Sequence, residues 1–104
     1  MNEPSPGATG ELSPMRGKIS VIMPAHNAEK TLILALKSTL RALPESSELL
    51  VMLDNCTDKS AEIILKISDS RLRVFSSATQ LGVAGALNQL LAESTGEFIA
   101  RMDA

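Results

Sequence analysis

Apolar and polar residues fall along this chain in blocks. A run at Ile19-Ser20-Val21-Ile22-Met23 is apolar at nearly every position and breaks at Pro24-Ala25-His26-Asn27. Short apolar runs bounded by turn residues fit strands buried on both faces of a parallel sheet, so the pattern predicts a strand over Lys18–Met23. Asn27 stands where a helix N-cap is wanted, since its side-chain oxygen can accept a free backbone N–H. Leu32, Ile33, Leu36, Leu40 and Leu43 then recur at helical spacing until Pro44. A second strand is predicted at Glu48–Leu53, followed by the polar loop Asp54-Asn55-Cys56-Thr57-Asp58, in which Thr57 or Asp58 caps a helix with Ile63, Ile64 and Ile67 inward. The Asp69-Ser70 turn ends that helix, and Leu72–Ser76 forms a third strand. A last helix presents Val83, Leu87, Leu90 and Leu91, Gly96 serves it as a left-handed C′ residue, and Glu97–Met102 is the fourth strand.

The order β-α-β-α-β-α-β belongs to the α/β class, with parallel strands and right-handed crossovers. Such a sheet collects the carboxyl ends of its strands along one edge, where ligands of open α/β folds bind. Here that edge gathers Pro24–Asn27, Asp54–Asp58, Gln80–Gly82 and Asp103. Residues 1–17, rich in Pro, Ser and Gly without an apolar period, read as a disordered tail. The expected domain spans residues 18–104.

Composition narrows the partners. With 44% apolar residues but only two Phe and no Trp or Tyr, the core must be aliphatic. A net charge of -2 argues against nucleic acid, whose binders carry a clustered basic face. One cysteine excludes an intrachain disulfide and suits a reducing compartment. There is no signal-like N-terminus and no bilayer-length apolar run. The expected location is cytoplasmic, with peripheral attachment to the inner face of the membrane left open.

Each edge segment has a structural and a functional reading. Pro24 can simply stop a strand and Asn27 simply cap a helix, whereas the His26 ring can stack on a base. Asp54 is a turn former, or a carboxylate that accepts from a base N–H or a ribose hydroxyl. Cys56 reads as a small loop residue, with no later histidine to activate it. Gly82-Val83-Ala84-Gly85 opens a helix whose N-terminus could receive phosphate. Arg101 is either a buried ion-pair partner or a phosphate clamp. Asp103 beside a nucleotide diphosphate suits Mg²⁺ or Mn²⁺.

Taken together, these segments resemble family 2 glycosyltransferases of the A-type fold. The blocks are Ser20-Val21-Ile22-Met23-Pro24-Ala25-His26-Asn27-Ala28-Glu29, Leu53-Asp54-Asn55-Cys56-Thr57-Asp58, Gln80-Leu81-Gly82-Val83-Ala84-Gly85-Ala86-Leu87-Asn88 and Gly96-Glu97-Phe98-Ile99-Ala100-Arg101-Met102-Asp103-Ala104. The resemblance implies a nucleotide-sugar donor, a UDP-sugar foremost, and transfer with inversion to the hydroxyl of a glycan or lipid-linked acceptor. It implies donor contacts from Pro24, Ala25, His26, Asn27, Asp54, Gly82, Arg101, Asp103 and Ala104. His26 stands where the family often has Tyr. Asp54 matches the second Asp of an Asp-Asp-Gly-Ser-Thr-Asp block, from which Leu53, Asn55 and Cys56 depart. Asp103-Ala104 matches the start of an Asp-x-Asp motif that binds Mg²⁺ or Mn²⁺, with Asp103 as metal ligand and the final Asp expected at the next position. The resemblance places the catalytic base in a later half, so this stretch alone is expected to be inactive. Phe98–Met102 would then be a bare apolar edge open to self-association. The alternatives are a non-catalytic nucleotide-binding α/β module and a non-functional truncated product. The glycine-rich turn of dinucleotide-binding domains is absent after the first strand.

Overall fold

A computed structural model describes residues 15–104. The chain forms β1 (Met15–Ala25), α1 (Leu32–Ala42), β2 (Glu48–Asp54), α2 (Ser60–Leu65), β3 (Leu72–Ser77), α3 (Gly82–Glu93) and β4 (Gly96–Arg101). All pairings are parallel, in the order β3-β2-β1-β4. This is the α/β architecture that the apolar pattern predicts. The chain winds outward from β1 through β2 to β3, then returns across the sheet to place β4 on the other side of β1. The crevice between β1 and β4 is therefore the switch point at which such sheets take ligands.

The core lies on both faces of the two central strands. Every residue of β2 is buried, as expected for a parallel strand covered by helices on each side. Val21, Met23, Leu49 and Val51 pack with Leu32, Leu36 and Leu40 of α1 and Ile64 of α2, while Ile22, Leu50 and Met52 pack with Ala86 and Leu90 of α3.

Several boundaries differ from those the sequence predicts. β1 begins at Met15, so residues 15–17 belong to the sheet, and the rest of the expected tail lies outside the described residues. Gly17, at φ 76°, bulges the strand where its register against β4 shifts, and its N–H donates to Glu97 Oε1 at 2.6 Å. α1 starts at Leu32, after a turn in which the Ala28 carbonyl accepts from the N–H groups of Thr31 and Leu32. Asn27 therefore does not cap α1. α2 ends at Leu65, and Ile67 reaches the core from the loop that follows. α3 is rotated from the expected face: Val83 and Leu91 are exposed, and Ala86 with Leu90 meets the sheet, because small Ala86 lets the helix approach closely. Gly96 is a buried first residue of β4 rather than a left-handed helix terminator; the left-handed glycines are Gly17 and Gly82.

Among the described residues β4 is paired only through β1, and Phe98 and Ile99 are 57% and 44% exposed. A groove of about 280 Å³ runs beside it, lined by Ile19, Val21, Thr39, Ala42, Ala100 and Met102 among others. Unpaired N–H and C=O groups on an apolar edge strand are a template for another chain. The 104-residue chain is expected to sediment as dimers or larger species, and Ile99→Lys should shift it towards monomer. A wild-type chain that stays monomeric at all concentrations contradicts this.

Candidate functional site at the carboxyl edge of the sheet

The loops that leave β1 and β2 meet over the ends of the two strands. Each turns through an asparagine in the left-handed region, Asn27 at φ 46° and Asn55 at φ 50°, a conformation that Asn tolerates better than most residues. His26 Nδ1 lies 2.7 Å from the backbone carbonyl of Asp54. A carbonyl can only accept, so Nδ1 carries the proton and Nε2 is the acceptor of the neutral ring. Asn27 Oδ1 accepts from the N–H of Thr57 at 2.7 Å and of Asp58 at 3.3 Å. Asp58 bonds in the other direction: Oδ2 accepts from the Glu29 N–H at 3.1 Å, and Oδ1 accepts from the Ser60 N–H at 2.9 Å. The N-cap of α2 is Lys59, without a side-chain cap, rather than Thr57 or Asp58; Asp58 stands one residue earlier and braces the turn into the helix through the Ser60 N–H. Desolvation raises its pKa, but the hydrogen bonds from Ser60 and Glu29 outweigh this and hold the carboxyl below its ordinary value.

Asp54 ends β2, at the predicted edge, and its side chain bonds the start of α3 while its backbone carbonyl bonds His26. The carboxylate is 4% exposed and receives the N–H of Leu81 at 2.7 Å and of Gly82 at 3.0 Å. It therefore neutralises the N-terminus of α3, a placement that the helix dipole favours. The Asp54 carboxylate, expected at a base, and the Gly82 N–H, expected at a phosphate, bond each other in this structure. Gly82 itself is needed for its φ of 77° at the start of the helix.

Pro24 and Ala25 end β1 in register with Met52 and Leu53, and Ala25 is buried, with its carbonyl 3.5 Å from Cys56 Sγ. At the end of β4 the ladder continues through the Met102 N–H to the Ile22 carbonyl at 3.0 Å. Arg101 is neither buried nor unpaired: exposed, it contacts Asp103 Oδ1 through Nε and Nη2, both at 3.3 Å. Ala104 packs against the core cluster that contains Ala25 and Leu53.

A divalent-cation site is not complete in this arrangement. Asp103 offers one carboxylate with a guanidinium against it, whereas Mg²⁺ needs several oxygen ligands at near-octahedral geometry. Among the described residues no group of three His, Cys, Asp or Glu side chains could hold a metal ion.

The opposite end of the sheet carries a polar cluster that sequence reasoning missed. Glu48 is 5% exposed, and its carboxylate accepts from Ser20 Oγ at 2.6 Å, the Thr95 N–H at 2.8 Å, Thr95 Oγ1 at 3.0 Å and Arg73 Nη1 at 3.1 Å. Lys18 Nζ lies 3.7 Å away. Desolvation acts to raise the Glu48 pKa, but these donors together lower it from 4.5 to about 2. The cluster ties β1, β2, β3 and the start of β4 together, and it lies away from the ligand edge.

Comparison with known proteins bears on the family and the fold. The family model described as "Glycosyl transferase family 2" matches residues 20–104. The chain is 38% identical over 85 residues to the Escherichia coli UDP-Glc:alpha-D-GlcNAc-diphosphoundecaprenol beta-1,3-glucosyltransferase WfgD, covering 82% of this chain and 34% of that protein. It is 33% identical over 89 residues to the putative glycosyltransferase EpsE of Bacillus subtilis, covering 83% of this chain and 32% of that protein. The crystal structure of S. aureus TarS in complex with UDP superposes with a TM-score of 0.75 at 32% identity, covering 83% of this chain and 27% of that one. The chain spans about a third of the length of the curated relatives it matches. The matched span runs from β1 through both edge loops to Asp103 and Ala104, and on that basis the chain belongs to glycosyl transferase family 2.

Proposed function

We propose that this chain forms the nucleoside-binding part of a glycosyltransferase that takes a sugar from a nucleotide-diphosphate donor, a UDP-sugar, and moves it with inversion to the hydroxyl of a glycan or lipid-linked acceptor. The observation that carries the proposal is the juxtaposition of His26 with the loop after β2, at 2.7 Å from the Asp54 carbonyl, beside the switch point of a parallel sheet. The UDP in the TarS structure and the UDP-glucose and diphosphoundecaprenol in the name of WfgD support the donor and acceptor classes.

In this reading the exposed His26 ring offers its face to the base, Asn55 lies at the same edge, and Arg101 supplies positive charge towards the diphosphate. The role of the described residues in this reading is to bind the donor. Mg²⁺ or Mn²⁺ would neutralise a diphosphate leaving group, but Asp103 needs further oxygen ligands to hold either. No helix among the described residues is long and apolar enough to cross a membrane. A cytoplasmic place, peripheral to the membrane where a lipid-linked acceptor is presented, fits that proposal.

Calorimetric titration with UDP tests it. A base stack is worth roughly 1–3 kcal/mol, so His26→Ala should weaken UDP binding by about tenfold or more with little change in melting temperature. Equal affinity in the variant removes the stack from the account.

A further inference from the structure

The loop after β1 is knit residue by residue to the segment after β2. The Ala25 carbonyl receives Cys56 Sγ, His26 Nδ1 donates to the Asp54 carbonyl, and Asn27 Oδ1 receives the Thr57 and Asp58 N–H groups. The Ala28 N–H then donates to Ser60 Oγ at 3.0 Å, and the Glu29 N–H to Asp58 Oδ2 at 3.1 Å. At the centre of this seam is Asn27, whose left-handed backbone turns the loop and whose side chain faces the neighbouring loop.

We propose that Asn27 is a positioning residue: with Asp58 it latches the two loops together, and the latch holds His26 as its Nδ1–H tautomer, with Nε2 left to accept from a hydrogen-bond donor on the bound nucleoside. The role in binding rests on the nucleotide-sugar reading; the latch and the tautomer do not.

Three observations lead there. The Asn27 amide oxygen serves two backbone N–H groups that lie outside the regular hydrogen bonding of α2, so removing it leaves both without their protein partner. Asp58 completes the seam in the reverse direction, so the latch has two halves that can be cut separately. His26 directly precedes Asn27, and its ring bonds the carbonyl of Asp54, which the sheet fixes at the end of β2, so release of the Asn27 loop moves Nδ1 against an acceptor that stays in place. An exposed histidine without such a partner samples both tautomers. Fixing one in advance makes Nε2 a standing acceptor that discriminates between ligand edges, the preorganisation that lowers the cost of binding. With the ring face on the base, a ribose hydroxyl beside that stack satisfies it, and a bare acceptor edge does not.

The chain holds a single histidine, so nitrogen-15 NMR at a pH where the ring is neutral reads the tautomer without ambiguity. Asn27→Gly removes the amide while keeping the backbone free to adopt positive φ, which separates the latch from backbone strain. Asp58→Ala cuts the other half. The wild-type spectrum should show His26 mainly as Nδ1–H. Both variants should move it towards the mixture of an unrestrained ring and weaken UDP, the probe ligand, by about tenfold. A tautomer that is unchanged in folded Asn27→Gly and Asp58→Ala overturns the latch. A wild-type chain with the fixed tautomer but no response to UDP contradicts the nucleoside reading and leaves the latch standing.

Discussion

Gly96→Ala is expected to unseat β4 and lower stability by about 3 kcal/mol or more, the upper range for forcing extra volume into a packed site. A Cβ at this position would lie 2.7 Å from both the backbone N and Oγ of Ser20, and 2.8 Å from the Lys18 carbonyl oxygen. Two of these atoms are backbone of a central strand and cannot give way cheaply. The clash also strikes the buried polar cluster, because the Gly96 N–H donates to Ser20 Oγ at 2.8 Å and Ser20 Oγ donates to Glu48 at 2.6 Å. Urea unfolding of the variant should show a reduced midpoint. Hydrogen exchange should show lost protection at Ile19–Ile22, where β1 meets β4.

Glu48→Gln is expected to cost about 1–3 kcal/mol, the range for leaving buried hydrogen-bonding groups without their partner. A glutamine keeps the volume but offers one acceptor oxygen, and its NH₂ group faces either the Arg73 guanidinium at the Oε1 position or the Ser20 and Thr95 donors at the Oε2 position. The same residue sets an acid limit. Its folded pKa, about 2, is depressed below the ordinary 4.5, so its contribution is complete above pH 4.5 and is lost as the pH falls from there towards 2. A shift of that size corresponds to about 3 kcal/mol. The Asp69 carboxyl is also held at about 2, first by its side-chain hydrogen bond with Arg71, but that pair is solvated and adds little. In the Glu48→Gln variant the acid dependence should flatten to the residue left by exposed carboxylates. A wild-type slope retained in the variant would place the titrating group elsewhere. Because Glu48 and Gly96 share Ser20 Oγ, the two substitutions should combine less than additively.

Much of the fold was legible because each central strand carries a near-continuous apolar run and each helix an aliphatic face. Those are local signals, set by burial on a sheet. What was misread depends on contacts across the fold. Asn27 looks like a helix cap in the sequence, yet its acceptor is used by a loop 30 residues on. Gly96 looks like a helix terminator, yet it is required by the approach of Ser20. Asp54 falls at the predicted edge, but the alternation of side chains along a strand does not say that its carboxylate meets α3. Ser20, Glu48, Arg73 and Thr95 each read as ordinary polar residues, since only the register of all four strands brings them to one point. Met15–Gly17 lack an apolar period, so nothing local marks them as strand.

The central claim is that a nucleoside diphosphate sits at the carboxyl edge between the loops after β1 and β2, towards Asp103. Amide-resolved NMR titration of the 104-residue chain with UDP tests it most directly. The account predicts the largest shifts at His26, Asn27, Asn55 and Met102–Ala104, with Glu48, Arg73 and Thr95 at the other end unmoved. Saturating UDP without shifts at His26 and Asn55, or with its largest shifts around Glu48, would contradict it.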